Sequence, residues 1–359
     1  MSQGTAPGRA TLQSVARAAR VSRQTVSNAL NAPHVVSPET LQRVLAAVDE
    51  LGYRPSRAAR QLRTRRSHTL AMRLDPFRDG VNGSVLDRFL HALVEGAQGA
   101  GYRVLLFTAE DDAGELERYA ELLEASDVDG FVLTGTHAGD PRSGWLAERG
   151  VPHSAFGRPW DDPAAPLPDA ERGAGCWVDV DGAVGTRAAV GHLVASGHRR
   201  IAFVGWPAGS GSGDLRRSGW REACAERGLE LPDHYDVAVP DGVDAGRASA
   251  SALLTSALPP TAIVCASDSL ALGVLAVAAE AEGAGGLGEG TPATAVVGFD
   301  DTPAAAAVGL TSVAQPLAEA ARTCLDQLLA QLDEGASPCP PRLLPPELVV
   351  RRSTRGARP

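Results

Sequence analysis

Residues 11–53 read TLQSVARAARVSRQTVSNALNAPHVVSPETLQRVLAAVDELGY, and their punctuation decides the amino-terminal fold. Thr11 is placed to cap a first helix, on which Leu12, Val15, Ala16 and Ala19 share one face. Ser22 caps a second, RQTVSNAL, whose apolar residues are Val26, Ala29 and Leu30. The intervening RVS leaves room for a tight turn only. Ser37-Pro38-Glu39 opens a third helix with a cap, a proline at the first position and an early acid. Its stripe is Leu41, Val44, Leu45, Val48 and Leu51, and Gly52 ends it. Two short helices joined by a tight turn inside a three-helix unit predict a helix-turn-helix.

Charge supports that reading. Residues 1–66 hold eleven arginines against three acids, a net of +8, while the whole chain of 359 residues carries −9 and the remainder therefore −17. A basic head on an acidic body suggests that the head meets a polyanion and the body does not. Every basic residue is arginine, which is also the better fork for phosphate and guanine. Composition is otherwise that of a globular protein, with 44% hydrophobic and 21% charged residues, and the length predicts two or three domains. The five cysteines (176, 224, 265, 324, 339) form no C-x-x-C pair and are odd in number. This fits reduced thiols in a cytoplasmic protein, with neither a zinc site nor a disulfide frame. MSQGTAPGRA has no apolar core, and no apolar run approaches eighteen residues, so neither a secretory signal nor a membrane partner is expected.

From His68 the pattern changes to alternating strands and helices. Strands are predicted at 69–74, 102–108, 130–135, 151–157, 199–205, 235–240, 261–267 and 294–300, and helices at 86–100, 114–126, 183–196, 216–228, 245–257 and 268–283. A long helix at 316–335 follows, and VVRRSTRGARP reads as a final strand plus tail. Strand–helix alternation with apolar strands implies parallel sheets covered on both faces, and so many strands fit two doubly wound sheets better than one. The Pro/Ala/Gly-rich 161–175 is the natural break.

On the second helix, Arg23 and Gln24 stand where a recognition helix meets base edges, with Thr25, Ser27 and Asn28 further along. Arginine forks onto guanine and glutamine onto adenine, each good pair worth roughly 1–3 kcal/mol of discrimination. Thr11, Ser22 and Ser37 place hydroxyls and helix N-termini where phosphates bind. The alternative is a small helical cap with a solvated arginine face.

The whole head, through PSRAARQLRTRRS at 55–67, resembles that of the LacI/GalR family of bacterial repressors. T-L-x-x-V-A, V-S-x-x-T-V-S, S-x-x-T-x-x-x-V and G-Y-x-P-x-x-x-A-x-x-L fall in order, and VDGFVL, VDVDGAVGTRAAVGHLVASGHRRIAFVG, RRSGW, SDSLALG, VVGFDDTP, LTSVAQP and ELVVRRST continue the match. The resemblance implies a disordered tail at 1–10, a DNA-binding domain at 11–54, a hinge helix at 55–67 and an effector-binding, dimerising body at 68–359. The body would be of periplasmic-binding-protein type, with subdomain 1 at about 68–178 and 315–337 and subdomain 2 at about 179–314 and 338–359. It also implies that Leu62 wedges into the minor groove of a kinked operator, with Arg57, Ala59 and Arg60 around it. The physics agrees, since an apolar wedge unstacks a base step and the kink exposes more contact surface.

In doubly wound sheets ligands bind beyond the carboxyl ends of strands, and polar residues gather there. Asp300 ends VVGFD, Ser267 and Asp268 end IVCAS, Arg216 follows the loop after FVG, and Arg158 and Trp160 follow HSAFG. The resemblance puts effector on Arg216 and Asp300, where a guanidinium and a carboxylate grip vicinal hydroxyls. Ser267 departs from the family's frequent asparagine. Trp160 and Trp206 are placed either to stack on a sugar face or to pack at the rim. Asp181 reads as an N-cap and Asp179 as a crossover residue. GSGSGD at 209–214 is not a nucleotide fingerprint, and His192 and His198 lack metal-ligand spacing, so no cofactor or metal is expected. No catalytic constellation is present, and an enzyme is not expected. The reading is a homodimeric repressor on an inverted-repeat DNA operator, released by a sugar or glycoside. The alternatives are a purine-type corepressor and, from another class, a solute-binding protein.

Overall fold

The computed structural model describes residues 10–53, 66–74, 83–160, 175–283, 294–333 and 340–354. It divides into two compact units, Met1–Ser67 and His68–Pro359.

The first unit is three helices, α1 (Leu12–Ala18), α2 (Arg23–Asn31) and α3 (Pro38–Glu50). All three expected caps form. Thr11 and Ser14 bond each other's backbone N–H in a capping box, Ser22 accepts from the Thr25 N–H at 3.0 Å, and Ser37 accepts from that of Thr40 at 3.4 Å. The turn after α1 passes through Arg20 at φ +53°, and the Val21 N–H returns to the Ala16 carbonyl at 3.0 Å. The same closure ends α3, where Gly52 takes φ +57° and Tyr53 bonds back to Val48. The helices bury Val15, Ala16, Ala19, Val26, Ala29, Val44, Ala47 and Tyr53 into one small core.

The second unit holds two six-stranded sheets, ordered β11-β5-β4-β3-β1-β2 and β12-β10-β9-β8-β6-β7. In chain order the strands are β1 Thr69–Leu74, β2 Arg103–Thr108, β3 Gly130–Leu133, β4 His153–Phe156, β5 Trp177–Val180, β6 Ile201–Gly205, β7 Asp236–Ala238, β8 Ala262–Cys265, β9 Ala295–Asp300, β10 Thr311–Ala314, β11 Arg342–Leu344 and β12 Glu347–Val349. Every pairing is parallel except β10 with β12. Central strands such as β6, β8 and β9 are buried along their whole length, as a parallel sheet covered on both faces requires. The chain leaves the first sheet after β5. It returns through the helix Leu317–Leu332, whose Ala320, Ala321, Cys324, Leu325 and Leu328 pack with Leu70, Met72 and Phe89.

Four features differ from expectation. β5 lies in WVDV, where no strand was predicted, because its Asp179 is matched by Arg158 rather than exposed. β11 pairs with β5 in the first sheet, against the assignment of all of 338–359 to the second subdomain. The last strand ends at Val349, and Arg352–Thr354 forms a 3-10 turn where the strand was expected to continue. Cys176 is disulfide-bonded, although Cys224, Cys265 and Cys324 are free and buried. Among the described residues no helix is long and apolar enough to cross a membrane.

Candidate functional site

Two surfaces carry the candidate residues. In the head, Arg23 and Gln24 are exposed on the first turn of α2, while Thr25, Ser27 and Asn28 are half-buried. The Gln24 side-chain amide donates to Asn28 Oδ1 at 3.0 Å. Gln24 keeps a second N–H, which adenine N7 can accept, and its carbonyl, which can accept from adenine N6–H. The Thr11, Ser22 and Ser37 hydroxyls already receive backbone N–H groups, so their exposed first-turn amides are what they offer to phosphate. Arg57, Ala59, Arg60 and Leu62 lie outside the described residues.

In the body, a cavity of about 300 Å³ opens between the two sheets at the carboxyl ends of their strands. One wall presents Thr134, Thr136, Trp160 and Asp179; the other presents Trp206, Arg216, Asp300 and Gln315. Trp160 donates to Thr136 at 3.1 Å, and it lies so close to Gly211 that a β-carbon there would sit 2.6 Å from the indole. Glycine is therefore what lets the loop after β6 meet the opposite wall. Gly182 plays the same part for Arg216, whose Cγ would lie 2.9 Å from a β-carbon.

Arg216 lies over the Phe299 ring at 3.7 Å and donates from Nη1 to the Ala266 carbonyl. Its distance to Asp300 is 3.7 Å, too long for a hydrogen bond, and its buried Nε–H has no acceptor. The Thr134 hydroxyl, on the other wall, is also buried without a partner. Orphaned buried polar atoms cost about 1–3 kcal/mol each. The two residues that carry them line the same cavity from opposite walls.

Asp300 accepts from Gln315 at 2.7 Å and sits at φ +113°, with Asp301 following at +50°. Two successive non-glycine residues in the left-handed half of backbone space are strained. The strain is held by Asp268, which accepts from the Thr302 N–H at 2.7 Å and from Ser312 at 2.6 Å, and by Arg351 against Asp301. Burial pushes the Asp300 carboxyl up to about 7 despite Arg216, with Asp268 and Asp241 adding to the rise. Burial likewise raises Asp179, against its pairing with Arg158 at 2.7 Å.

The structure brings Arg216, Asp300, Trp160 and Trp206 to the cavity. Arg158, Ser267 and Asp268 stand behind its walls: Arg158 holds Asp179, Ser267 donates to Asp241, and Asp268 holds the strained turn. Thr134, Gln315 and Asp179 were missed. Asp179 carried a usable signal, since a carboxylate ending a short apolar alternation marks a strand tip. Asp112, His137 and Asp140 bring ligand atoms within 4.8 Å of one another. Both Asp140 oxygens, however, are taken by Arg142, and the nearby guanidinium opposes a metal cation. The three residues form an ion-pair network.

A helix-turn-helix unit followed by a cleft between two doubly wound subdomains defines a DNA-binding regulator with a periplasmic-binding-protein-like body. Comparison with known proteins agrees. Residues 11–56 match bacterial regulatory proteins of the lacI family, and residues 190–354 match the periplasmic binding protein-like domain. The HTH-type transcriptional regulator CelR of Thermobifida fusca is 35% identical over 358 residues, 96% of this chain and 98% of that protein. A solved complex of CelR with cellobiose has a TM-score of 0.67 at 30% identity, over 96% of this chain and 100% of that one. The lac repressor dimer bound to operator and the anti-inducer ONPF has a TM-score of 0.78 at 27% identity, over 96% and 99%. The chain belongs to the lacI family of bacterial regulatory proteins.

Proposed function

We propose that this protein is a homodimeric repressor that holds an inverted-repeat operator and releases it when a saccharide enters the cleft. The observation that carries the reading is the convergence of Thr134, Trp160 and Asp179 from one wall with Trp206, Arg216, Asp300 and Gln315 from the other around one cavity. A sugar hydroxyl accepts from one group while donating to another, which neither a purely apolar nor a purely anionic ligand does. Flat indoles at Trp160 and Trp206 suit a sugar ring. Arg23, Gln24 and Asn28 read base edges, and Leu62 enters the minor groove. Saccharide binding changes closure of the two subdomains and is coupled reciprocally to DNA affinity, typically by 1–3 kcal/mol in such systems. Similarity to CelR, solved with cellobiose, and to the lac repressor, solved on its operator, supports both halves.

The test is a thermal-shift screen of mono- and disaccharides on the full chain, followed by DNA binding with each hit. A hit that stabilises the protein and lowers its affinity for selected DNA supports the reading. A ligand that instead tightens DNA binding makes the protein a corepressor-dependent regulator.

A further inference from the structure

Val85 and Leu86, near the start of the helix Gly83–Gly99, line the cavity from the first subdomain, and Asp300 lines it from the second. Just beyond these residues the two subdomains touch. Arg88 Nη1, from the same helix, donates to the Asp301 carbonyl at 3.2 Å. That carbonyl belongs to the peptide that follows the strained pair Asp300–Asp301, and the N–H of the same peptide, on Thr302, donates to Asp268 at 2.7 Å. The rest of Asp301 is held from within the second subdomain. Its N–H donates to Ser312 Oγ at 3.0 Å, and its carboxylate pairs with Arg351 at 2.6 Å. Of these partners, Arg88 comes from across the cleft. Its acceptor is a neutral carbonyl, so the contact is a directed hydrogen bond that needs the turn in this conformation.

We propose that Arg88 is a positioning residue, which latches the helix Gly83–Gly99 onto the turn after Asp300 and so holds the cleft closed around a bound saccharide. The inference rests on the reading of the cavity as the saccharide site. Arg88 itself stands outside the cavity lining and acts through Asp301. The bond exists only while the two walls stand this close, so it stabilises the closed complex and leaves the first encounter with an open cleft untouched. Its loss therefore shows in the rate at which ligand escapes, not in the rate at which it enters.

The test is stopped-flow binding of cellobiose, glucose and ribose to the full-length protein, read by tryptophan fluorescence, since Trp160 and Trp206 line the cavity. Arg88→Met keeps a long side chain and removes the donor, whereas Arg88→Lys restores one. The expected result is that a sugar bound by the wild type leaves Arg88→Met about fivefold faster, the worth of one net hydrogen bond, and enters at an unchanged rate. Arg88→Lys should release it at nearly the wild-type rate. An escape rate unchanged in Arg88→Met overturns the latch and leaves the saccharide reading standing. An entry rate that falls as escape quickens, or a lysine variant that behaves like the methionine one, also overturns it, because Arg88 then shapes its own helix rather than joining it to the turn. If the wild type binds none of the three sugars while it still binds DNA, the saccharide reading falls and the latch with it.

Discussion

Arg142 in the first subdomain and Arg216 in the second are both buried, and the two are treated in opposite ways. Arg142, behind the wall that carries Thr134 and Gly135, is fully enclosed, and all five of its N–H groups are used. Nε and Nη2 fork onto Asp140 at 2.8 and 2.6 Å, and Nη1 donates to Glu115 at 3.0 Å. The remaining two donate to the Thr134 and Gly135 carbonyls at 3.1 and 3.2 Å. Arg216, on the second wall, donates to one carbonyl, stands 3.7 Å from its carboxylate and leaves Nε empty. Burial depresses Arg216, whereas its acidic neighbours hold Arg142 up. A satisfied buried ion is architecture: Arg142 fixes the loop that carries Thr134. An unsatisfied one beside a cavity is a group prepared for something not yet bound.

This contrast can be broken or sharpened by experiment. The largest expected effect is on stability. Arg142→Ala strips Asp140 of its guanidinium and leaves the buried Glu115 with Arg73 and Tyr119, and should cost about 3–5 kcal/mol in denaturant unfolding. A loss below about 1 kcal/mol would mean that the network is no more than a surface ion pair. Arg216→Ala should cost less stability than Arg142→Ala but about 2–5 kcal/mol of saccharide affinity, since it strips one partner from a desolvated pair. Equal affinity in variant and wild type would remove Arg216 from the site.

The next effect is a pH dependence. The carboxyl of Asp300 is raised to about 7 in the folded protein and returns to an ordinary carboxylate value when unfolded. The folded state then binds the extra proton between about 4 and 7, so stability falls as pH rises through that window. Asp300→Asn should flatten that fall, as measured by unfolding at a series of pH values. Arg216 and Gln315 oppose the shift, while Asp268 and Asp241 reinforce it. A wild-type profile matching that of the variant would contradict the assignment. The smallest effect belongs to Thr134→Val, which deletes a buried hydroxyl without a partner. Folding should be unharmed, and saccharide binding should weaken by about 1 kcal/mol.

The head was legible because its signals are local. Thr11, Ser22 and Ser37 announce helices a few residues away, and the apolar periodicity needs no distant partner. The RVS turn was legible too, but not the left-handed conformation of Arg20, which is held by the closing Val21–Ala16 bond rather than by arginine's own preference. The cleft was legible where strand ends carried the rule, as at Arg216 and Asp300. It was illegible where chemistry depends on remote segments. Arg142 is matched by groups from three stretches of chain, and Gln315 reaches Asp300 from the crossover. β5 was missed because Asp179 looks wrong for a buried strand until Arg158 is beside it. Arg158, Ser267 and Asp268 were placed on the ligand by the same strand-end rule, which does not distinguish a wall from its support.

The most direct test is release of a labelled duplex, selected by the protein from random sequences, measured by fluorescence anisotropy as saccharide is added to wild type and Arg216→Ala. Both proteins should bind the duplex equally without saccharide, and only the wild type should let it go. Release of both at the same saccharide concentration, or of neither with any sugar, would contradict the claim that Arg216 links the cleft to DNA.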